Sequence, residues 1–148
     1  MKMGAIVARS SKENRGLIYD FGLNLGLAFQ LQDDYLDAFG NPETFGKQVG
    51  GDIIENKKTY LYLKAMEFLK PAEKGQLEQL FSTKLEDNTA KIAAVKEIFN
   101  ATGASKATQE AIEEYTLKAF KTLEQMKISE DKKAMLKTFG ENLMERKV

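Results

Sequence analysis

The chain has no cysteine, no histidine and no tryptophan, and only two prolines. Without thiol or imidazole, the usual zinc sites, cysteine nucleophiles and Ser-His-Asp machinery are excluded. Excess charge of one sign is also missing, since 22 basic side chains balance 22 acidic ones. No net field therefore draws the chain to nucleic acid, which is excluded as an expected partner. No stretch approaches the ~18 apolar residues of a membrane span, so no transmembrane segment is predicted. The apolar opening Met1 to Ala8 is too short for a signal-peptide core with its flanks and runs directly into polar residues. These absences, with that of cysteine, fit a cytoplasmic protein.

What is present is helical periodicity. With 43% hydrophobic and 30% charged residues over 148 positions, the composition suits one soluble globular domain. No run alternates at period two, and no repeat or low-complexity linker divides the chain. Ser10 with Glu13 forms a capping box, which predicts a helix over about residues 11–39. Its middle, Leu17 to Leu31, is apolar on nearly every side, as in a helix surrounded by others. Gly16, Gly22 and Gly26 each cost that helix about 1 kcal/mol, and close approach of a neighbour or ligand is the expected compensation. A glycine-rich loop over 40–51 follows, then a helix over about 53–69 and another opened by Pro71. Stripes at Leu77, Leu80 and Phe81, at Ile92, Val95 and Phe99, at Ile112, Tyr115, Ala119 and Leu123, and at Leu136, Phe139 and Leu143 predict further amphipathic helices. Asp87 and Ser105 are candidate N-caps, and Gly103 and Gly140 candidate stops or kinks. The predicted fold class is all-α, an antiparallel helical bundle.

The chemistry concentrates in Phe29 to Asp37, FQLQDDYLD. At about 100° per residue, Gln30, Asp33, Asp34 and Asp37 share an arc roughly 100° wide, and Leu23, Gly26 and Leu27 continue that side toward the N-terminus. One face thus passes from greasy to acidic, which suits a ligand with a charged head and a hydrocarbon tail. Carboxylates three or four positions apart disfavour a helix by about 0.2 to 0.5 kcal/mol per pair, so a cation should sit nearby. An oxygen-only donor set suits Mg²⁺ shared with phosphate oxygens. An isolated D-D-x-x-D is more often a solvated acidic face; here a second stretch, GKQVGGDIIENKKT over 46–59, follows the turn at Gly40, Asn41 and Pro42.

Together F-Q-x-Q-D-D-Y-x-D, G-N-P and F-G-K-x-x-G-G-D-I-x-x-N-K-K-T resemble the second aspartate-rich region of the trans-isoprenyl diphosphate synthases, or polyprenyl synthetases. The resemblance covers about residues 16–66 and spans two motifs at the family's spacing. It implies an isoprenoid-synthase fold of which this chain holds the C-terminal portion: 1–9 as the remnant of a truncated helix, 10–70 as the second aspartate-rich motif and lysine loop, and 71–148 as C-terminal amphipathic helices. It implies Mg²⁺ at Asp33, Asp34 and Asp37, diphosphate at Lys47 and Lys57, and an allylic-substrate wall at Phe29 and Gln30. Lys47, Lys57 and Gln30 would then be the catalytic group. Asp52 could orient a lysine, join the metal's outer shell or cap the following helix, and Lys58 is expected to be exposed.

The reaction so implied ionises an allylic prenyl diphosphate and joins the cation to isopentenyl diphosphate, without a protein nucleophile. The family's first aspartate-rich motif, its arginines and a Lys-Thr pair are not in this sequence, so the chain alone is expected not to elongate prenyl chains. Two other readings stay open: a noncatalytic helical subunit that pairs with a catalytic chain, and a class I terpene cyclase, against which the lysine-bearing stretch argues. The apolar helix, short of neighbours, predicts a homo-oligomer or association through exposed apolar surface.

Overall fold

Helix dominates because apolar residues recur at helical spacing while strand formers never alternate. The computed structural model describes residues 12–40, 50–82 and 88–145. Among them run seven helices: α1 (Lys12–Phe39), α2 (Gly51–Ile54), α3 (Tyr60–Phe68), α4 (Pro71–Leu80), α5 (Asn88–Thr102), α6 (Ala104–Glu124) and α7 (Glu130–Met144). No strand occurs among the described residues, so the fold is all-α. No helix there is long and apolar enough to cross a membrane. Two units divide the chain, one holding residues 12–30 with 111–145 and the other 31–110.

In the first unit the early part of α1 packs with the later part of α6 and with α7. Phe21, Leu25, Ala119, Leu123 and Met126 are its buried core. The Phe21 and Phe120 rings lie 6.3 Å apart at 54°, a tilted aromatic arrangement. Asn14, nearly buried, donates from Nδ2 to the Lys127 carbonyl at 2.8 Å, and its Oδ1 accepts from the Lys127 N–H at 2.9 Å. One amide thus satisfies both polar groups of a backbone unit in the α6–α7 connection, each bond contributing about 1 kcal/mol. Ser129 caps α7 by accepting from the Lys132 N–H at 3.3 Å.

The second unit is built on α5, which packs against α2, α3 and α4. Ile53, Leu61, Ala65, Leu77, Val95, Phe99 and Ala104 are among its core residues, and Tyr62 meets Phe81 with ring centroids 4.6 Å apart. Pro71 opens α4 at its first turn, where its missing N–H costs nothing.

Several expectations are corrected. The helix predicted over 53–69 is two helices, because Asn56 adopts φ 58° and Thr59 is extended before α3. Ser105 is not an N-cap; α6 already begins at Ala104, and the Ser105 hydroxyl donates to Asn100 Oδ1 at 2.9 Å. Gly103 does stop α5, at φ 86°. Gly140 neither stops nor interrupts α7; it is a packing position, where an added Cβ would lie 3.0 Å from Phe120. Gly16 and Gly26 show the reverse: among the described residues nothing lies within 4 Å of an added Cβ, so no neighbouring helix approaches them closely there. The apolar middle of α1 is not surrounded: Phe21, Leu25 and Ala28 are buried, while Tyr19, Leu23 and Leu27 stay 50%, 49% and 41% exposed. Phe139, counted on the inward stripe of α7, is exposed. Ser10 and Asp87 lie outside the described residues.

Candidate functional site

Residues 50–57 are tied to α1 through two backbone devices. Gly50 stands before α2 with φ 88°, a left-handed conformation that glycine adopts without a steric cost. A Cβ there would also lie 2.6 Å from Ile92 Cδ1 and 2.8 Å from Cγ1, so both conformation and space require glycine. The single turn of α2 then points its amides at α1: the Asp52 N–H donates to Asp37 Oδ1 at 2.8 Å. Asp37 thereby satisfies one of the donors that a helix start leaves open.

The second device ends α2. The Asn56 N–H donates to the Ile53 carbonyl at 3.1 Å, and the Lys57 N–H to the Asp52 carbonyl at 2.8 Å. With Asn56 left-handed, this pair of bonds is the Schellman motif, with asparagine where glycine is commonest. The chain reverses there, and Lys57 Nζ comes 3.9 Å from Asp34 Oδ1 and 3.9 Å from Asp52 Oδ1. The Asp34 side chain is 10% exposed and that of Lys57 53%. Pairs this long and this wet contribute at most about 1 kcal/mol each. An ammonium with three donors held loosely between two carboxylates is suited to receiving a further anion.

The structure therefore brings together Asp34, Asp37, Asp52 and Lys57. Asp33 is partly exposed on α1, Phe29 is half-buried, and Gln30 is exposed; both of the latter belong to the helix segment in the first unit. Lys47 lies outside the described residues. Lys58 is exposed, as expected, with its ammonium 5.6 Å from the Tyr62 ring centroid. Among the described residues no three carboxylates converge closely enough to hold a metal ion by themselves. Mg²⁺ commonly takes one or two carboxylates and fills its shell with water and substrate phosphate, a donor set that one or two of Asp33, Asp34 and Asp37 could begin.

Two residues were missed by sequence reasoning. Asn56 supplies the reversal, and Lys91, 1% exposed, donates from Nζ to Asn56 Oδ1. The asparagine before Lys57 carried a legible signal, since asparagine tolerates left-handed backbone. Lys91 carried none, because a lysine on an amphipathic helix reads as a solvated face.

The first unit holds a separate apolar groove of 390 Å³, lined by Tyr19, Gly22, Leu23, Leu25 and Gly26 of α1 and by Phe139 and Leu143 of α7.

Comparison with known proteins gives these residues their context. The family model described as polyprenyl synthetase matches residues 1–101. A short chain isoprenyl diphosphate synthase of Methanothermobacter thermautotrophicus is 34% identical over 134 residues, covering 90% of this chain and 40% of that protein. A crystal structure of a geranylgeranyl pyrophosphate synthase superposes with a TM-score of 0.88 at 49% identity, covering 99% of this chain and 46% of that one. A polyprenyl synthase from Caulobacter crescentus, crystallised with calcium and isoprenyl diphosphate, gives 0.81 at 32% identity over 98% of this chain and 44% of its own. This chain thus spans less than half the length of these relatives. With its helices, its Asp34–Lys57–Asp52 cluster and these matches taken together, the chain belongs to the polyprenyl synthetase family.

Proposed function

We propose that the chain carries the second metal-and-diphosphate half site of a prenyltransferase, the C-terminal portion of an isoprenyl diphosphate synthase. The observation that carries this reading is the position of Lys57 between Asp34 and Asp52, 3.9 Å from each. Asp33, Asp34 and Asp37 would hold Mg²⁺, which when bound supplies positive charge to the departing diphosphate. Lys57, and Lys47 in the same role, stabilise the negative charge that grows on the bridging oxygen as the allylic carbon–oxygen bond breaks. The electron pair leaves with diphosphate. The double bond of isopentenyl diphosphate then forms the new carbon–carbon bond, and a proton is lost to the released diphosphate. Phe29 and Gln30 would line the allylic substrate. Asp37 has a further role in holding the start of α2.

The sequence contains one aspartate-rich cluster, so the chain alone would bind diphosphate without elongating it, in a cytoplasmic setting. The exposed Tyr19, Leu23 and Leu27 favour a second reading alongside: a chain that works by association, with itself or with a complementary catalytic chain. Nothing comparable favours a terpene cyclase.

Calorimetry of Mg²⁺ with a nonhydrolysable allylic diphosphate tests the half site. Asp33→Ala and Lys57→Ala are each expected to weaken binding by about tenfold or more, as loss of a charge-assisted contact does. Unchanged affinity in both variants would remove the proposal's basis.

A further inference from the structure

A buried lysine is almost always paired, because moving an ammonium out of water is costly unless hydrogen bonds replace the lost hydration. Lys91 is fully buried in the first turn of α5, on the helix that packs against α2, α3 and α4. Its Nζ donates to the side chain of Asn56. Asn56 is the one non-glycine residue with positive φ among the described residues, and the next residue is Lys57. Glycine is the commonest occupant of this place at a helix end and would take the same backbone shape more easily. It would offer Lys91 no side-chain oxygen. Asparagine satisfies both requirements, since it tolerates the left-handed backbone and presents Oδ1 to the ammonium.

We propose that Lys91 is a positioning residue for diphosphate binding: by holding the Asn56 side chain it fixes the reversal that delivers Lys57 to Asp34 and Asp52. Lys91 acts through the turn, by its bond to Asn56. The inference rests on the reading of Lys57 as a diphosphate ligand, and it makes separate demands on the turn itself. Three consequences distinguish it from a merely structural role. The effect of removing Lys91 must vanish once Lys57 is gone. It must vanish again where glycine at position 56 makes the turn self-sufficient. And the backbone at 56–57 must change where Lys91 is lost.

The test measures binding of inorganic diphosphate with Mg²⁺ by calorimetry, and backbone chemical shifts of residues 56 and 57 by NMR. Lys91→Met is expected to weaken binding by about tenfold, the size expected where one charge-assisted contact is lost. Asn56→Ala, which leaves Lys91 in place, should do the same. In Lys57→Ala, adding Lys91→Met should cause no further loss, and in Asn56→Gly it should cause less than about twofold, a double-mutant comparison of coupled residues. Additive losses in those backgrounds would overturn the proposal. If the wild type fails to bind diphosphate, or Lys57→Ala binds equally well, the half-site reading falls and the shifts decide the rest. Movement of the 56 and 57 shifts away from left-handed values in Lys91→Met supports control of the turn by Lys91; shifts identical to the wild type overturn it.

Discussion

The two units treat apolar surface in opposite ways. Of eight large hydrophobic side chains exposed among the described residues, six (Tyr19, Leu23, Leu27, Leu117, Met135 and Phe139) belong to the first unit and two (Leu63 and Phe68) to the second. The first unit is the smaller, so its excess does not follow from size. Its groove lies between residues of α1 and α7, whereas the second unit folds most of its large side chains inward around α5 and buries Lys91 against the turn at Asn56. The lesson is that one continuous helix serves two ends: α1 contributes a half-dressed apolar face to one unit and a carboxylate pair to the other. A surface rich in apolar patches marks a place for a partner or ligand; a sealed core with a strained turn marks a place where geometry is held.

The largest expected effect lies in the sealed unit. Gly50→Ala combines left-handed strain of about 1–2 kcal/mol with displacement of Ile92, about 1–3 kcal/mol. A loss of about 3 kcal/mol in urea denaturation is expected, with amide protection falling most in α2 and α5. A loss below about 1 kcal/mol would show the second unit to be as yielding as the first. Next comes the open unit. Leu23→Gln and Leu27→Gln should leave folding stability within about 0.5 kcal/mol, as at exposed sites, yet weaken self-association by roughly tenfold per leucine. Sedimentation equilibrium reads this directly, and unchanged association would mean that this face is not the contact surface.

The smallest effect is a pH response drawn from the second unit. Burial holds the Lys91 ammonium below its ordinary value of 10.5, so the unfolded chain binds that proton more tightly. Stability therefore rises as pH climbs through the window that ends at 10.5. Tyr62 has the opposite sign: burial, and then the charge of Glu78, raise its phenol above the ordinary 10.0. Stability present below pH 10.0 is lost as pH rises through the raised value. Urea midpoints followed into the alkaline range should lose the rise in Lys91→Met and the fall in Tyr62→Phe; slopes that persist in both variants would assign the response elsewhere.

Much of this was legible in the sequence because it depends on local spacing. The helix of residues 12–39 follows from its periodicity, Pro71 and Gly103 from their backbone preferences, and the all-α class from the lack of alternation. The approach of Lys57 to Asp34 follows the motif pattern, although the break that enables it was read as unbroken helix. What escaped depends on contacts distant in sequence. Asn14 reaches a carbonyl 113 residues away, Gly140 is set by the Phe120 ring, and Lys91 is buried by helices that periodicity alone cannot assemble around it. The exposure of Leu23 and Leu27 escaped for a related reason: an all-round apolar helix announces a need for cover without saying whether this chain provides it.

The Asn14 clasp also dictates an order of events on the ribosome. Residues 31–110 form one unit from an uninterrupted stretch, so they can settle as soon as they emerge. The other unit must wait, because the strand of backbone that Asn14 seizes is made more than a hundred residues after it. Until Lys127 leaves the exit tunnel, Phe21 and Leu25 must wait for the Ala119, Leu123 and Met126 side chains that seal them.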